Sequence, residues 1–195
     1  MFKHISLILL VLVLFVVVRV VPAYFGQPTA EAFANISPLA ALALCGGMML
    51  PTRIAFILTF GTFIISDVLL NLKYGQPILN YYSLFLLALF AAIFGCGYLL
   101  RKHRRINVLL GSTIASSFLF YILLNSVSFF MDPHYAKNIT GWFQANTTGV
   151  PGYPPAWLFG IRTLVSNSIF ALVFYFAFSP KSDTLIKAPD LSQTT

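Results

Sequence analysis

From Ile106 to Phe130 the chain carries no charged side chain. A helix needs about 20 apolar residues to cross roughly 30 Å of hydrocarbon. This run exceeds that requirement, and it is not alone. Six apolar segments stand out, at residues 5–21, 37–50, 54–72, 78–100, 106–130 and 158–178. The last four are long enough to cross, the first is close, and the second is short unless it begins near Ala32. Composition agrees. The chain is 58% apolar and only 9% charged, against about 25% charged residues in soluble domains. Too little polar surface is left to cover a water-soluble globule. The expected fold is therefore an all-α membrane protein of about six transmembrane helices. Residues 1–178 form one domain, 131–157 an outer-face loop, and 179–195 a flexible cytoplasmic tail.

Local signals refine the segments. Ser37 and Pro38 suit a helix start, as a cap and a first-turn proline. Gly46-Gly47 and Pro51 then weaken or end the second segment, which makes a half-span or a helix sheltered by its neighbours an open alternative. Pro22 is expected to end the first segment. A cleaved signal peptide is disfavoured, because Arg19 interrupts the apolar run and Val21-Pro22-Ala23 is a poor cleavage site.

The chain holds 12 Lys+Arg against 5 Asp+Glu, a formal net charge of +7. In a soluble protein such an excess would raise a nucleic-acid role. Here the basic residues lie at segment ends, and the cluster Arg101-Lys102-His103-Arg104-Arg105 joins segments four and five. The positive-inside rule makes that loop cytoplasmic. Counting outward puts both termini inside, with Lys3, Arg53, Lys181 and Lys187 on the same side. Nucleic acid is not an expected partner; membrane lipid is.

Ionisable groups inside apolar segments usually face a bundle interior, a cavity or a partner. Of the five acidic residues only Asp67 sits in an apolar run. Asn71, four residues on, shares its helix face. Arg162 and Asn167 lie in segment six, and Arg162 falls at a depth similar to that of Asp67. Two arrangements are open: an Asp67–Arg162 pair that locks two helices, or a polar pocket opening outward. Arg19 is expected to snorkel to the headgroups. Tyr81 and Tyr82 suit interface anchoring as well as ligand contact, while Asn125, Ser126 and Ser128 add polar groups at the outer end of segment five.

The loop from Met131 to Trp157 lies on the same side. Loops longer than about 12–15 residues are usually functional or disordered, and this one is rich in aromatic residues. Asn138 to Ala145 suits a short interfacial helix bearing Trp142 and Phe143. Trp142, Tyr153 and Trp157 are candidate walls or a lid; a membrane-anchoring belt is the plainer alternative. Ala43 with Gly47, and Ala41 with Cys45, form small-residue stripes that suit internal packing or a docking face.

No GxSxG, HExxH or P-loop pattern is present, so no catalytic residue is assigned and an enzyme is not expected. Cys45 and Cys96 read as small packing residues. No zinc-type cluster exists, and Asp132 with His134 supplies two candidate ligands without a third. No metal or cofactor is therefore expected. Three Asn-x-Ser/Thr patterns, at Asn35, Asn138 and Asn146, would matter only in a eukaryotic secretory pathway.

The stretch from Asn35 to Gly47, followed by Arg53-Ile-Ala-Phe and Ser66-Asp67-Val-Leu-Leu, resembles a family of small, uncharacterised bacterial integral-membrane proteins. That family is similar to the substrate-binding S-components of energy-coupling-factor (ECF) transporters. The Trp142…Tyr153-Pro154 loop leading into a helix with Asn167 fits the same resemblance, which covers residues 33 to 178. It implies a six-helix bundle in the bacterial cytoplasmic (inner) membrane with a ligand site near the outer face. It also implies separate energising subunits, since no nucleotide site is present. No vitamin-specific motif matches. The expected function is thus a small-molecule-binding transport component with Asp67, Asn71, Arg162, Asn167, Trp142, Tyr153 and Trp157 as ligand contacts. The alternative is a non-catalytic accessory or scaffold subunit among other integral membrane subunits.

Overall fold

The computed structural model describes the backbone of residues 2–25 and 39–178, and the side chains from Leu12 onward within those ranges. The Ser37-Pro38 helix start, most of the first outer segment and the tail 179–195 lie outside the described residues. Seven α-helices and no strand are found among the described residues: α1 (Phe2–Tyr24), α2 (Leu39–Met49), α3 (Thr52–Lys73), α4 (Tyr81–Leu99), α5 (Ile106–Met131), α6 (Ile139–Asn146) and α7 (Ala156–Phe178). A 3-10 turn at Leu100–Lys102 extends α4.

Four helices, α3, α4 with its extension, α5 and α7, are long and apolar enough to cross a membrane. α1 also runs for 23 residues and continues through Pro22. The expectation that Pro22 ends this segment is corrected. A proline in the last turn forfeits one backbone hydrogen bond, and a helix among neighbours tolerates that loss. α2 is different in kind. Its described part, Leu39–Met49, is 11 residues long and rises about 16 Å; the residues before it lie outside the described ones.

Every one of these residues is buried. It packs on α3, α4 and α7. The approach to α4 is a backbone contact. A Cβ added at Gly97 would stand 2.1 Å from the Leu44 carbonyl oxygen, and one at Gly47 would stand 2.5 Å from that of Phe94. Only glycine lets the two helices touch there. The stripe of Ala43 and Gly47 is therefore consumed inside the chain, as internal packing.

The last carbonyls of a helix lack partners within it, and leaving them bare in an apolar interior costs several kcal/mol. Arg101 solves this for α2. Its Nε donates to the Gly47 carbonyl at 2.9 Å and its Nη2 to that of Leu50 at 2.5 Å. The guanidinium also stacks over the Tyr98 ring. One residue of the basic cluster thus caps a buried helix.

The remaining helices surround this centre. α1 runs parallel to α3, with Arg19 beside Ser66 and Lys73 over the Tyr24 ring. α5 pairs with α7, and Phe15 of α1 touches Phe170 and Phe174 of α7. An aromatic ladder, Phe63 to Phe90 to Phe120, crosses from α3 through α4 to α5. α4 packs mainly on α2, not on its chain neighbour α5, which leaves space between α4 and α5. The basic cluster lies at one end of the bundle, and the loop after α5 lies at the other.

Gly97→Ala is expected to destabilise the bundle by roughly 3 kcal/mol, the upper range for overpacking. Gly95→Ala, whose Cβ would meet nothing within 4 Å, should leave stability unchanged or slightly raised. Thermal unfolding of the two variants in the same detergent separates them.

Candidate functional site

The site begins with a charge in the wrong solvent. Arg19 lies in the last third of α1, in an otherwise apolar run. Extending to the headgroups is one solution, but the side chain takes another. Its Nη1 donates to Ser66 Oγ at 2.5 Å and its Nη2 lies 3.7 Å from Asp67 Oδ1, with side-chain exposures of 15% and 11% for Arg19 and Asp67. The guanidinium also faces the Phe63 ring at 5.4 Å. The snorkelling expectation is thus corrected: a carboxylate within reach inside the bundle outweighs distant headgroups.

Ser66 passes the interaction on, donating to the Thr62 carbonyl at 2.6 Å. The other oxygen of Asp67 accepts from Asn71 Nδ2 at 3.1 Å, and the same amide reaches Ser83 Oγ at 3.2 Å and the Ile78 carbonyl at 3.3 Å. Ser83 sits in the first turn of α4, where its N–H is capped by Asn80 Oδ1 at 2.8 Å. A polar chain therefore ties α1, α3 and α4 together at the loop end. The ion pair of Asp67 is with Arg19, which removes the Asp67–Arg162 pairing in its simple form.

Beside this chain lies a cavity of about 140 Å³ between α1, α2, α4, α5 and α7. Arg19, Tyr82, Thr163 and Asn167 supply its polar wall, and Ala40, Leu86, Phe90, Phe120 and Leu124 its apolar wall. Asn167 is almost fully buried, at 1% exposure. Its Nδ2 donates to Ser117 Oγ at 3.0 Å, while its Oδ1 has no hydrogen-bond partner.

A wider cleft of about 490 Å³ opens at the loop end, walled by Asn125, Ser128, Asp132, His134, Tyr135 and Tyr153 among others. A groove of about 290 Å³ shares Ser128 and Asp132 with that cleft and Tyr82 with the inner cavity. The three spaces thus form a series, and Tyr82 stands at its inner step. The turn below the cleft is held by Asp132 Oδ1, which accepts from the His134 backbone N–H at 2.9 Å and lies 2.7 Å from His134 Nδ1. Those two hydrogen bonds hold the Asp132 carboxyl below its ordinary range. Burial, reinforced by the Asp132 charge, pushes the neighbouring Tyr135 hydroxyl up.

The loop builds its own support. Asn138 Oδ1 caps α6 through the Gly141 N–H at 2.9 Å. α6 then lies along the loop-end half of α5. Trp142 Nε1 donates to Ser126 Oγ at 2.9 Å, and Tyr121 Oη donates to the Asn146 carbonyl at 2.5 Å. Lys137 Nζ donates to the carbonyls of Phe129 and Asp132. The short helix expected at Asn138 to Ala145 is present, but Trp142 clamps it to α5 and leaves Phe143 exposed.

Of the expected contacts, then, Asn167 lies in the wall of the inner cavity and Tyr153 in that of the outer cleft. Asp67 and Asn71 stand one layer behind the cavity and hold Arg19. Trp142 is a structural clamp. Trp157 is half-exposed at the start of α7, where its N–H donates to the Thr147 carbonyl. Arg162, half-buried, is outside the wall of the inner cavity. Sequence reasoning passed over Thr163, gave Arg19 another role and left Tyr82 open between interface anchoring and ligand contact. A helical-spacing signal was available: Tyr82, Leu86 and Phe90 recur every four residues on α4, and Thr163 and Asn167 do so on α7.

Residues 1–185 match the family described as "Family of unknown function (DUF6580)", and the chain belongs to that family. No curated protein and no solved structure matches the chain.

Two outcomes follow from the geometry. Arg19→Leu alone strands a buried carboxylate and should cost about 3–5 kcal/mol, whereas Arg19→Leu with Asp67→Leu should recover much of that loss. Thermal unfolding of the two single variants and the double variant measures the coupling. The second concerns pH. Because the folded-state value of Asp132 is depressed, its contribution is complete above the ordinary carboxylate value of about 3.9 and is lost only as pH falls through the lower folded value. Exchange protection of the His134 amide should therefore hold down to about pH 4 and fall below it, and Asp132→Asn should remove that dependence.

Proposed function

We propose that this member of the family is a multi-pass protein of the bacterial inner membrane that binds a small molecule within its bundle. It takes part in moving that molecule inward, as S-components do. Other subunits supply the energy. In this reading both termini and the Arg101–Arg105 cluster face the cytoplasm, α2 completes an S-component-like six-segment bundle, and the loop end faces outward.

One observation carries the proposal. A cavity of about 140 Å³ is walled by an arginine from α1, a tyrosine from α4, and a threonine and an asparagine from α7. Ionisable groups inside apolar segments usually face a cavity or a partner, and polar side chains from three helices around a space of this size suit a ligand. The outer cleft and the groove past Tyr82 supply its approach. The small faces of α2 are consumed internally, and that withdraws one argument for an accessory-subunit role.

The test uses the full chain in lipid nanodiscs, screened against a broad small-molecule library by thermal unfolding. A ligand at 100 times its Kd should stabilise by about 2.7 kcal/mol. Leu124→Trp, which fills the cavity from the apolar wall, should abolish that stabilisation. Equal stabilisation of wild type and Leu124→Trp by every hit would sink the proposal.

A further inference from the structure

The cleft at the loop end differs from the inner cavity in the sign of its wall. The inner cavity has Arg19 in its wall. The cleft has Asp132 and, among the described residues, no Lys or Arg. That is notable in a chain whose 12 Lys+Arg outnumber 5 Asp+Glu. Its volume of about 490 Å³ lies within the roughly 300–1,000 Å³ common for small-molecule sites. Two aromatic side chains in its wall keep surface open to it: Tyr153 is 74% exposed, and Phe159, in the first turn of α7, is half-buried.

Asp132 keeps one oxygen for a ligand. Its Oδ1 accepts from the His134 backbone N–H at 2.9 Å and lies 2.7 Å from His134 Nδ1. Among the described residues no hydrogen bond falls on Oδ2. The side chain is 35% exposed and lines both the cleft and the adjoining groove. Lys137 is near but otherwise engaged. Its Nζ donates to the backbone carbonyls of Phe129 and Asp132 and lies over the Phe129 ring, and the residue lines neither space.

The segment that carries Tyr153 is held in place before any ligand arrives. Gly149 and Gly152 turn the chain with φ of 74° and 90°. The Gly149 N–H donates to the Gln144 carbonyl at 2.8 Å, and Gln144 Nε2 donates to the Gly149 carbonyl at 3.0 Å. Pro151 and Pro154 fix φ on either side of Tyr153. A wall ordered in advance loses less entropy on binding.

The wall selects by charge. An anion would meet the Asp132 carboxylate with no Lys or Arg to receive it. A plain hydrocarbon would take water from that carboxylate and replace it with nothing, which is costly. Calcium needs six to eight oxygen ligands, and no group of three His, Cys, Asp or Glu occurs among the described residues. An organic ammonium ion needs only a counter-charge and ring faces within about 6 Å. We infer that the outer cleft binds a small organic cation of the alkylammonium class, with its charge beside Asp132 and its alkyl groups against Tyr153 and Phe159. Its source is a free solute or the headgroup of a lipid. The inference stands apart from the binding role of the inner cavity.

Choline and 3,3-dimethylbutan-1-ol share a shape and differ in charge, so together they test it. Each is titrated onto the full chain in phosphatidylglycerol nanodiscs, whose headgroups carry no ammonium. Binding is read by equilibrium dialysis against empty nanodiscs, at pH 8, above the ordinary imidazole range. Choline should bind at least about tenfold more tightly than the alcohol. Asp132→Asn should remove that advantage. Tyr153→Leu, at an exposed position, should lower choline affinity about threefold and serves if Asp132→Asn fails to fold. Leu124→Trp alters the inner cavity alone and should leave choline binding unchanged, so the two sites are judged separately. Phosphatidylcholine nanodiscs identify the source: a site for free solute keeps its choline affinity there, whereas a headgroup site loses it to the lipid. Equal binding of choline and the alcohol, undiminished choline binding by Asp132→Asn, or no saturable choline binding by wild type would each overturn the inference.

Discussion

α2 can sit inside the bundle only because two backbones touch. The described stretch of α2, Leu39–Met49, has no polar face to offer water, and each of its residues is buried. Its stability depends on being wrapped. The contact at Gly47 and Gly97 brings α2 against α4 at a distance no side chain would permit. In lipid the gain from such contacts comes from packing, since lipid tails are as apolar as leucine. Once α2 is central, α3 and α7 pack on its other sides, and Arg101 closes its C-terminal end. The first turn of the same helix presents Ala40 to the cavity, so the contact that holds the core also sets one wall of the site.

The buried ion pair plays a second, narrower part. Arg19, Ser66, Asp67, Asn71 and Ser83 link three helices at the loop end through hydrogen bonds of 2.5–3.2 Å and one 3.7 Å ion pair. Such groups are expensive in a membrane interior and survive where they find partners. A satisfied network does more to specify one arrangement than to add net stability. Here it fixes the rotation of α1, and thereby aims Arg19 at the cavity. α6 serves the loop-end half of α5 in a comparable way, through Trp142 and Tyr121.

Much of this was legible in the chain. Long apolar runs, the stretch from Asn138 to Ala145 and the isolated polar residues Asp67, Asn71 and Asn167 marked the long apolar helices, α6 and the polar end of the bundle. The partner of Asp67 was not legible. Counting depth along each helix puts Arg19 and Arg162 near the same level, and depth says nothing about which helix stands beside which. α1 lies parallel and adjacent to α3, so Arg19 reaches Asp67 first. The partner of Trp142 was not legible for a related reason. An indole in a loop near a membrane suits an interfacial belt, and only the nearness of Ser126 turns it into a clamp.

The sequence by itself determined where helices form, how long they are and which ends carry the basic residues. These follow from local properties: apolar length, capping side chains and the position of charge. The tertiary structure decided that α2 sits at the core of the bundle, that its small-residue stripe faces inward, and that Arg19, Tyr82, Thr163 and Asn167 meet around one cavity. Those outcomes depend on lateral order and rotation of the helices. Both are set by close contacts between residues far apart in the chain, such as Gly47 with Gly97 and Arg19 with Asp67, and no one-dimensional pattern encodes which of several equivalent faces will meet.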